Sequence, residues 1–152
     1  MIRIAMTAVV IAIASMAFAR GKVPAVIVVR DLEYLTKKLG DGAFVPDKKD
    51  CYDARADVPR FVWWKMKQAK RKGESERWRE VLIKEPVYIW HCGGLSADGK
   101  KYVHCTFSRY EKGHGFEQER FPEVFDGGPD FCEARYDLQI HRLDRLDCHG
   151  AT

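Results

Sequence analysis

The chain alternates short apolar runs with polar, turn-rich stretches instead of repeating one period. After an apolar segment at the start, residues 25–29 form a β-branched run that reads as a strand. Residues 31–39 place Leu32, Leu35 and Leu39 at helical spacing before Gly40, which predicts a short helix. Residues 41–50 hold Gly42, Pro46 and several charges without a period and read as loop. The strongest helical pattern spans residues 59–72. Pro59 sits in the first turn, Asp57 is close by for capping, Gly73 follows, and Phe61, Val62, Met66 and Ala69 make an apolar stripe. Trp63 and Trp64 are adjacent and do not share a helix face, so one of them is expected at the surface. Residues 74–80 are polar and read as loop or short helix.

The second half reads as strands. Apolar runs at 87–92 and 102–107 flank Asp98-Gly99, a two-residue hairpin turn. With those two residues at the corner, Ala97 faces Lys100. Counting outward then puts Cys92 opposite Cys105 and Trp90 opposite Phe107. The cysteines fall on a non-hydrogen-bonded pair, where side chains approach most closely, and a Cys92–Cys105 bridge is expected. A bulge at Gly93-Gly94 would shift that register. Tyr88, Trp90, Cys92, Val103, Cys105 and Phe107 share one face, which reads as core. Val87, Ile89, His91, Tyr102, His104 and Thr106 share the other. A turn is expected at 112–115, a strand within 116–125 and a loop at 126–130. Residues 133–143 alternate through Ala134, Tyr136, Leu138 and Ile140, again a strand pattern. The expected architecture is α+β: one main helix packed on an antiparallel sheet, stabilised by disulfides.

Composition narrows the class. At 152 residues, 46% apolar and 32% charged, the chain has the size and balance of one globular domain. It lacks Asn, so it has no N-glycosylation acceptor, and no glycine fingerprint for nucleotide phosphates is present. Residues 1–19 read as a signal peptide: Arg3 is the only charge, residues 4–14 are an apolar core, and Ala17-Phe18-Ala19 has the small-x-small form of a cleavage site. The core is too short for a comfortable membrane span of about 20 residues. A secreted monomer, free of the membrane once cleaved, is therefore expected. Export makes the five cysteines disulfide candidates first, with two bridges and one thiol left over.

His91-Cys92 and His104-Cys105 look like a metal doublet, but the spacing fits no standard zinc motif and each His points away from its neighbouring Cys on a strand. No metal and no cofactor are expected. The two histidines suit acid–base chemistry, and equally two solvated side chains on the outside of a sheet; the second reading is preferred. Charge is uneven. Residues 60–84 carry nine basic and three acidic side chains, whereas 117–147 carry nine acidic and four basic. A basic helix beside paired tryptophans suits phosphates and stacked bases, which nominates Trp64, Lys67, Lys70, Arg71 and Lys72 as RNA-binding; a merely solvated helix face is the alternative. Lys37-Lys38 is read as surface and not as a processing site.

The order of residues is then suggestive. Cys51-Tyr52 precedes the main helix; Tyr102-Val103-His104, Glu119-Arg120-Phe121-Pro122, Asp126-Gly127-Gly128-Pro129 and Arg135 follow; a late His, His141 or His149, comes last. From residue 51 to residue 148 this layout resembles the small fungal ribonuclease T1 and ribotoxin group. Those proteins set a helix on an antiparallel sheet and carry a Tyr-x-His, a Glu before an aromatic-Pro pair, an Arg, a final His and a bridge joining the ends. The resemblance implies an RNase-like domain over 51–152 after an N-terminal extension, 20–50. It also implies a Cys51–Cys148 bridge, with Cys132 as the odd thiol. It casts His104 and Glu119 as the acid–base pair at the RNA 2′-hydroxyl, Arg135 as the phosphate stabiliser, and His149 as the acid for the leaving 5′-oxygen. Here, however, Arg120 stands between Glu119 and Phe121-Pro122, and a one-residue shift turns a strand side chain to the other face. The expected function is thus a secreted effector or toxin-like protein that binds a host macromolecule, RNA or protein, without turnover, in the extracellular space or after translocation into host cells. An active, metal-independent endoribonuclease is the alternative.

Overall fold

The computed structural model describes residues 26–109, 118–123 and 131–149. The segment read as a signal peptide, the turn expected at 112–115 and the loop expected at 126–130 lie outside the described residues.

The fold is α+β, a set of helices on a mixed sheet. Strand β1 (Val26–Val28) leads to helix α1 (Leu32–Leu39), where Asp31 caps the start by accepting the Tyr34 N–H at 3.0 Å. A two-residue strand β2 (Ala43–Phe44) follows. Helices α2 (Lys48–Ala56), α3 (Val58–Gln68) and α4 (Lys72–Lys84) come next, then a single 3₁₀ turn (Glu85–Val87). The chain finishes with β3 (Tyr88–Ala97), β4 (Lys100–Arg109), β5 (Phe131–Asp137) and β6 (Arg142–His149).

The main helix is shorter than its pattern. It stops at Gln68, and Gly73 lies inside the next helix instead of ending the first. Residues 48–56, read as loop in part, form α2, which buries only Cys51 and Ala54. The expected single helix is therefore three successive ones.

The sheet runs β1-β3-β4-β5-β6, with β2 also on β3. It is not purely antiparallel, because β1 lies parallel to β3, with Val26 opposite Trp90 and Val28 opposite Cys92. Residues 26–50, read as an extension, are therefore woven into the sheet and its packing, and Val26, Val28, Val29 and Leu35 are buried. The β3–β4 hairpin has the expected register throughout: Ala97 faces Lys100, Cys92 faces Cys105 and Trp90 faces Phe107. Asp98 and Gly99 supply the positive φ angles, 52° and 72°, that a two-residue turn needs. Gly93 and Gly94 pair in step without a bulge. Their missing side chains leave room for neighbours: a Cβ on Gly93 would lie 2.4 Å from Leu35, and one on Gly94 would lie 2.5 Å from Phe44.

The alternation expected over 133–143 breaks at residue 138. Asp137 turns the chain by accepting the backbone N–H groups of Gln139 (2.8 Å) and Ile140 (3.3 Å), and β6 returns along β5. This second hairpin carries the second bridge, Cys132–Cys148, beside Cys92–Cys105. The Cys51–Cys148 bridge implied by the resemblance is absent; Cys51 is an unbridged, buried thiol, pushed up to about 12 by burial. Residues 118–123, within the strand expected at 116–125, are not strand.

Packing follows the pleat. Trp90, Cys92, Val103, Cys105, Phe107, Cys132, Ala134, Tyr136, Leu143 and Leu146 line one sheet face and meet Cys51, Ala54, Val58, Phe61 and Val62 from α2 and α3. Asp57, between those helices, accepts the Leu143 N–H at 2.7 Å, and Arg60 donates to the Leu143 carbonyl at 3.2 Å. The helix junction is thereby fixed to β6.

Candidate functional site

Because one sheet face is committed to the core, every second strand residue points the other way. His91 on β3, His104 and Thr106 on β4, Glu133 and Arg135 on β5, and Arg145, Asp147 and His149 on β6 share that second face. Paired rows connect them: His104 is opposite Arg135, which is opposite Arg145, and Thr106 is opposite Glu133, which is opposite Asp147. The histidines are not the solvated pair expected from the alternation. His91 is fully buried, and His104 is half-buried.

The cover over His104 explains its state. Phe121 meets the imidazole edge-on at 5.5 Å and is held there by the Tyr34 hydroxyl, which donates to the Phe121 carbonyl at 3.3 Å. Desolvation lowers the His104 pKa; Glu133 raises it by a smaller amount, and Arg145 and Arg135 lower it further. The ring is thus biased to the neutral form. Since the unfolded chain takes up this proton more readily, the neutral ring's contribution to stability is complete above the ordinary histidine value of 6.5 and falls as pH drops through 6.5 toward the lower folded-state value. His104→Gln is expected to flatten the pH dependence of the urea midpoint between about pH 5 and 7. An unchanged slope would place the pH sensitivity elsewhere.

Of the catalytic set implied by the resemblance, His104, Arg135 and His149 share this face and Glu119 does not. Glu119 is exposed and has no described contact with His104. Arg120 does not replace it: its guanidinium lies over the Tyr34 ring at 5.4 Å and 3.9 Å from Asp31. The residue that meets His104 from this segment is Phe121. The carboxylate nearest in role is Glu133, which sequence reasoning passed over; its Oε2 lies 3.4 Å from His149 Nε2. Period two could have found it, because Glu133 and Arg135 flank Ala134 on the same strand. The other late histidine, His141, sits in the β5–β6 turn at a positive φ of 51°.

Two arginines of this face, Arg135 and Arg145, are already paired. Arg135 grips Asp144 with two bonds, Nε to Oδ1 at 2.9 Å and Nη2 to Oδ2 at 2.8 Å, and lies over Tyr102 at 4.7 Å. Arg145 donates to Asp147 at 2.5 Å, and His149 faces Glu133. A phosphate arriving here has to displace a carboxylate for each arginine it takes.

The helical side is different. Trp63 and Trp64 on α3 are both exposed, at 57% and 49%, where one was expected to be. Lys67 is exposed on the same helix, Lys70 and Arg71 are exposed in the link to α4, and Lys72 opens α4. The Lys65 ammonium sits over Trp64 at 5.4 Å and over Trp78 at 5.7 Å. Aromatic planes and cations therefore occur together on this surface. Among the described residues, no group of three His, Cys, Asp or Glu side chains is placed to hold a metal ion, and no helix is long and apolar enough to cross a membrane.

No family model matches the chain, and no curated protein or solved structure is significantly similar to it.

Proposed function

We propose that this is a secreted RNA-binding protein on an RNase-like scaffold, acting on a host RNA by binding without turnover. The observation that carries the reading is the exposure of Trp63 and Trp64 on α3 together with exposed Lys67, Lys70 and Arg71, which follow them along the chain. Stacked bases need exposed aromatic faces, and a tracked backbone needs cations free of carboxylate partners. The sheet face offers the opposite, arginines already held by Asp144 and Asp147. Secretion is supported by the apolar first segment, and the two bridges suit an oxidising compartment.

A second reading, an endoribonuclease, is favoured by one observation: His149 and Glu133 lie 3.4 Å apart on the same face as a neutral-biased His104. In that case Glu133 or His104 takes the 2′-hydroxyl proton, the 2′-oxygen attacks phosphorus, and protonated His149 gives its proton to the departing 5′-oxygen, leaving a 2′,3′-cyclic phosphate. One sample separates the two. A labelled single-stranded RNA is mixed with micromolar mature protein and divided between a native and a denaturing gel. Retarded and intact RNA is expected. Cleavage that vanishes in Glu133→Gln and in His149→Gln replaces the first reading with the second, and unretarded, intact RNA removes both.

A further inference from the structure

Within residues 118–123, Phe121 and Pro122 are half-buried and the other four are exposed. The segment lies as a strap over the polar sheet face at His104, and Phe121 reaches down from it. Its ring occupies a slot that a missing side chain provides. Gly93 is paired with His104, so both belong to this face, and a Cβ on Gly93 would come within 3.1 Å of the Phe121 ring. Leu35 and Leu39 of α1 close in on the same point. Tyr34 stands beside the ring, with centroids 6.2 Å apart, and the imidazole of His104 makes the last wall.

The other ties of the strap are weak. The Tyr34 hydroxyl donates to the Phe121 carbonyl at 3.3 Å. Arg120 lies over the Tyr34 ring and 3.9 Å from Asp31, and Glu123 lies 3.8 Å from Lys38. Both ion pairs are in solvent, where they add little. A segment that buries so little is expected to open without unfolding the rest.

We propose that the 118–123 strap is an acid-released latch: protonation of His104 expels Phe121 from its slot and opens the polar sheet face at that ring. This stands apart from the RNA reading. A neutral imidazole packs against Phe121 at no cost in charge, whereas an imidazolium there gives up water that an apolar ring does not replace. Burial is the largest influence on His104 and favours the neutral ring. Glu133 on β5 opposes it, and Arg145 on β6 and Arg135 on β5 support it, so the carboxylate is outweighed. Glu133 is also shared with His149, 3.4 Å away, and His91 lies on the next row of β3. From α1 and the strap come the Tyr34 hydroxyl, Arg120 and Glu123, with the two charges facing Asp31 and Lys38. Closure and protonation then oppose each other reciprocally. Each unit by which covering lowers the affinity of His104 for its proton weakens closure tenfold once the ring is charged.

The test follows His104 and Phe121 by NMR in the whole protein from about pH 8 to about pH 4.5. Nuclear Overhauser contacts from the Phe121 ring to His104 and Leu35 are expected to fade with the midpoint of the imidazole titration, below the ordinary 6.5, while the Trp90 indole signal of the core stays in place. Contacts that survive the titration, or that are lost only together with the Trp90 signal, overturn the latch. In His104→Gln the Phe121–Leu35 contacts should persist to the lowest pH; their loss there would assign the release to another group and overturn the proposal. Tyr34→Phe keeps both rings and removes one hydrogen bond, worth about two- to tenfold in closure, so both midpoints should rise by about 0.3–1 pH unit. Phe121→Ala should bring the His104 midpoint toward 6.5. A midpoint that stays or falls in that variant would show that Phe121 does not exclude the imidazolium, and the proposal fails.

Discussion

Replacing Trp90 with Ala is expected to cost about 3–5 kcal/mol of folding stability. Trp90 is fully buried in the centre of the sheet, on the row that runs from Val26 through Phe107 to Cys132 and Cys148. Its ring stacks on Phe107 with centroids 4.2 Å apart and planes 7° from parallel. Its Nε1–H donates to Glu85 Oε1 at 3.0 Å, and the same oxygen accepts from Arg55 Nε at 2.7 Å. Truncation leaves a cavity in the core cluster that Trp90 shares with α2 and α3 and removes one of the two donors that hold a nearly buried carboxylate. Trp90→Phe keeps a ring and loses the hydrogen bond, so a smaller loss, about 1–3 kcal/mol, is expected. Against a total of roughly 5–15 kcal/mol for a domain, the alanine variant comes close to unfolding. Urea titration of both variants checks this; equal losses would show that the polar network, and not the cavity, carries the whole effect, and a loss below about 1 kcal/mol in Trp90→Ala would contradict the packing described.

The second large effect concerns binding. Changing Trp64 to Ala together with Lys67, Lys70 and Arg71 to Gln is expected to weaken single-stranded RNA binding about 100-fold or more. One lost base stack is worth about 1–3 kcal/mol, and each 1.4 kcal/mol is tenfold. The three lost charges should also reduce the slope of log affinity against log salt by about 2, at roughly 0.7 per neutralised phosphate on a single strand. All four side chains are exposed, so stability should change by no more than about 0.5 kcal/mol per site. A variant that binds as tightly as the parent, with the same salt slope, would locate RNA recognition away from α3.

Where the sequence could be read, the signal was local. The β3–β4 register followed from one two-residue turn, because Asp98-Gly99 leaves no freedom in how the strands line up, and the Cys92–Cys105 bridge came with it. The β5–β6 hairpin gave no such sign. Its turn depends on the Asp137 side chain and on a positive φ at His141, neither of which has a strong dipeptide signature, and the Cys132–Cys148 bridge was missed for that reason. The parallel pairing of β1 with β3 joins segments about sixty residues apart and is decided by burial, not by anything near either strand. Helix α4 was obscured by Gly73 and by its polar sequence; it is stabilised mainly by lying along α3. At the site, His104, Arg135 and His149 were legible as chemistry, but Glu133 was not paired with them, because the β4–β5 register is set across a long connection that carries no register information.

The central claim is that RNA lies on the helices and not on the polar sheet face. The most direct measurement is a single NMR titration of the protein with a short single-stranded RNA, reading the Trp63 and Trp64 indole N–H signals alongside the His104 and His149 imidazole signals. The expected result is progressive shifts of both indoles, with the imidazoles unmoved and the RNA intact at the end. Imidazole shifts at His104 and His149 with still indoles would contradict it and move function to the sheet.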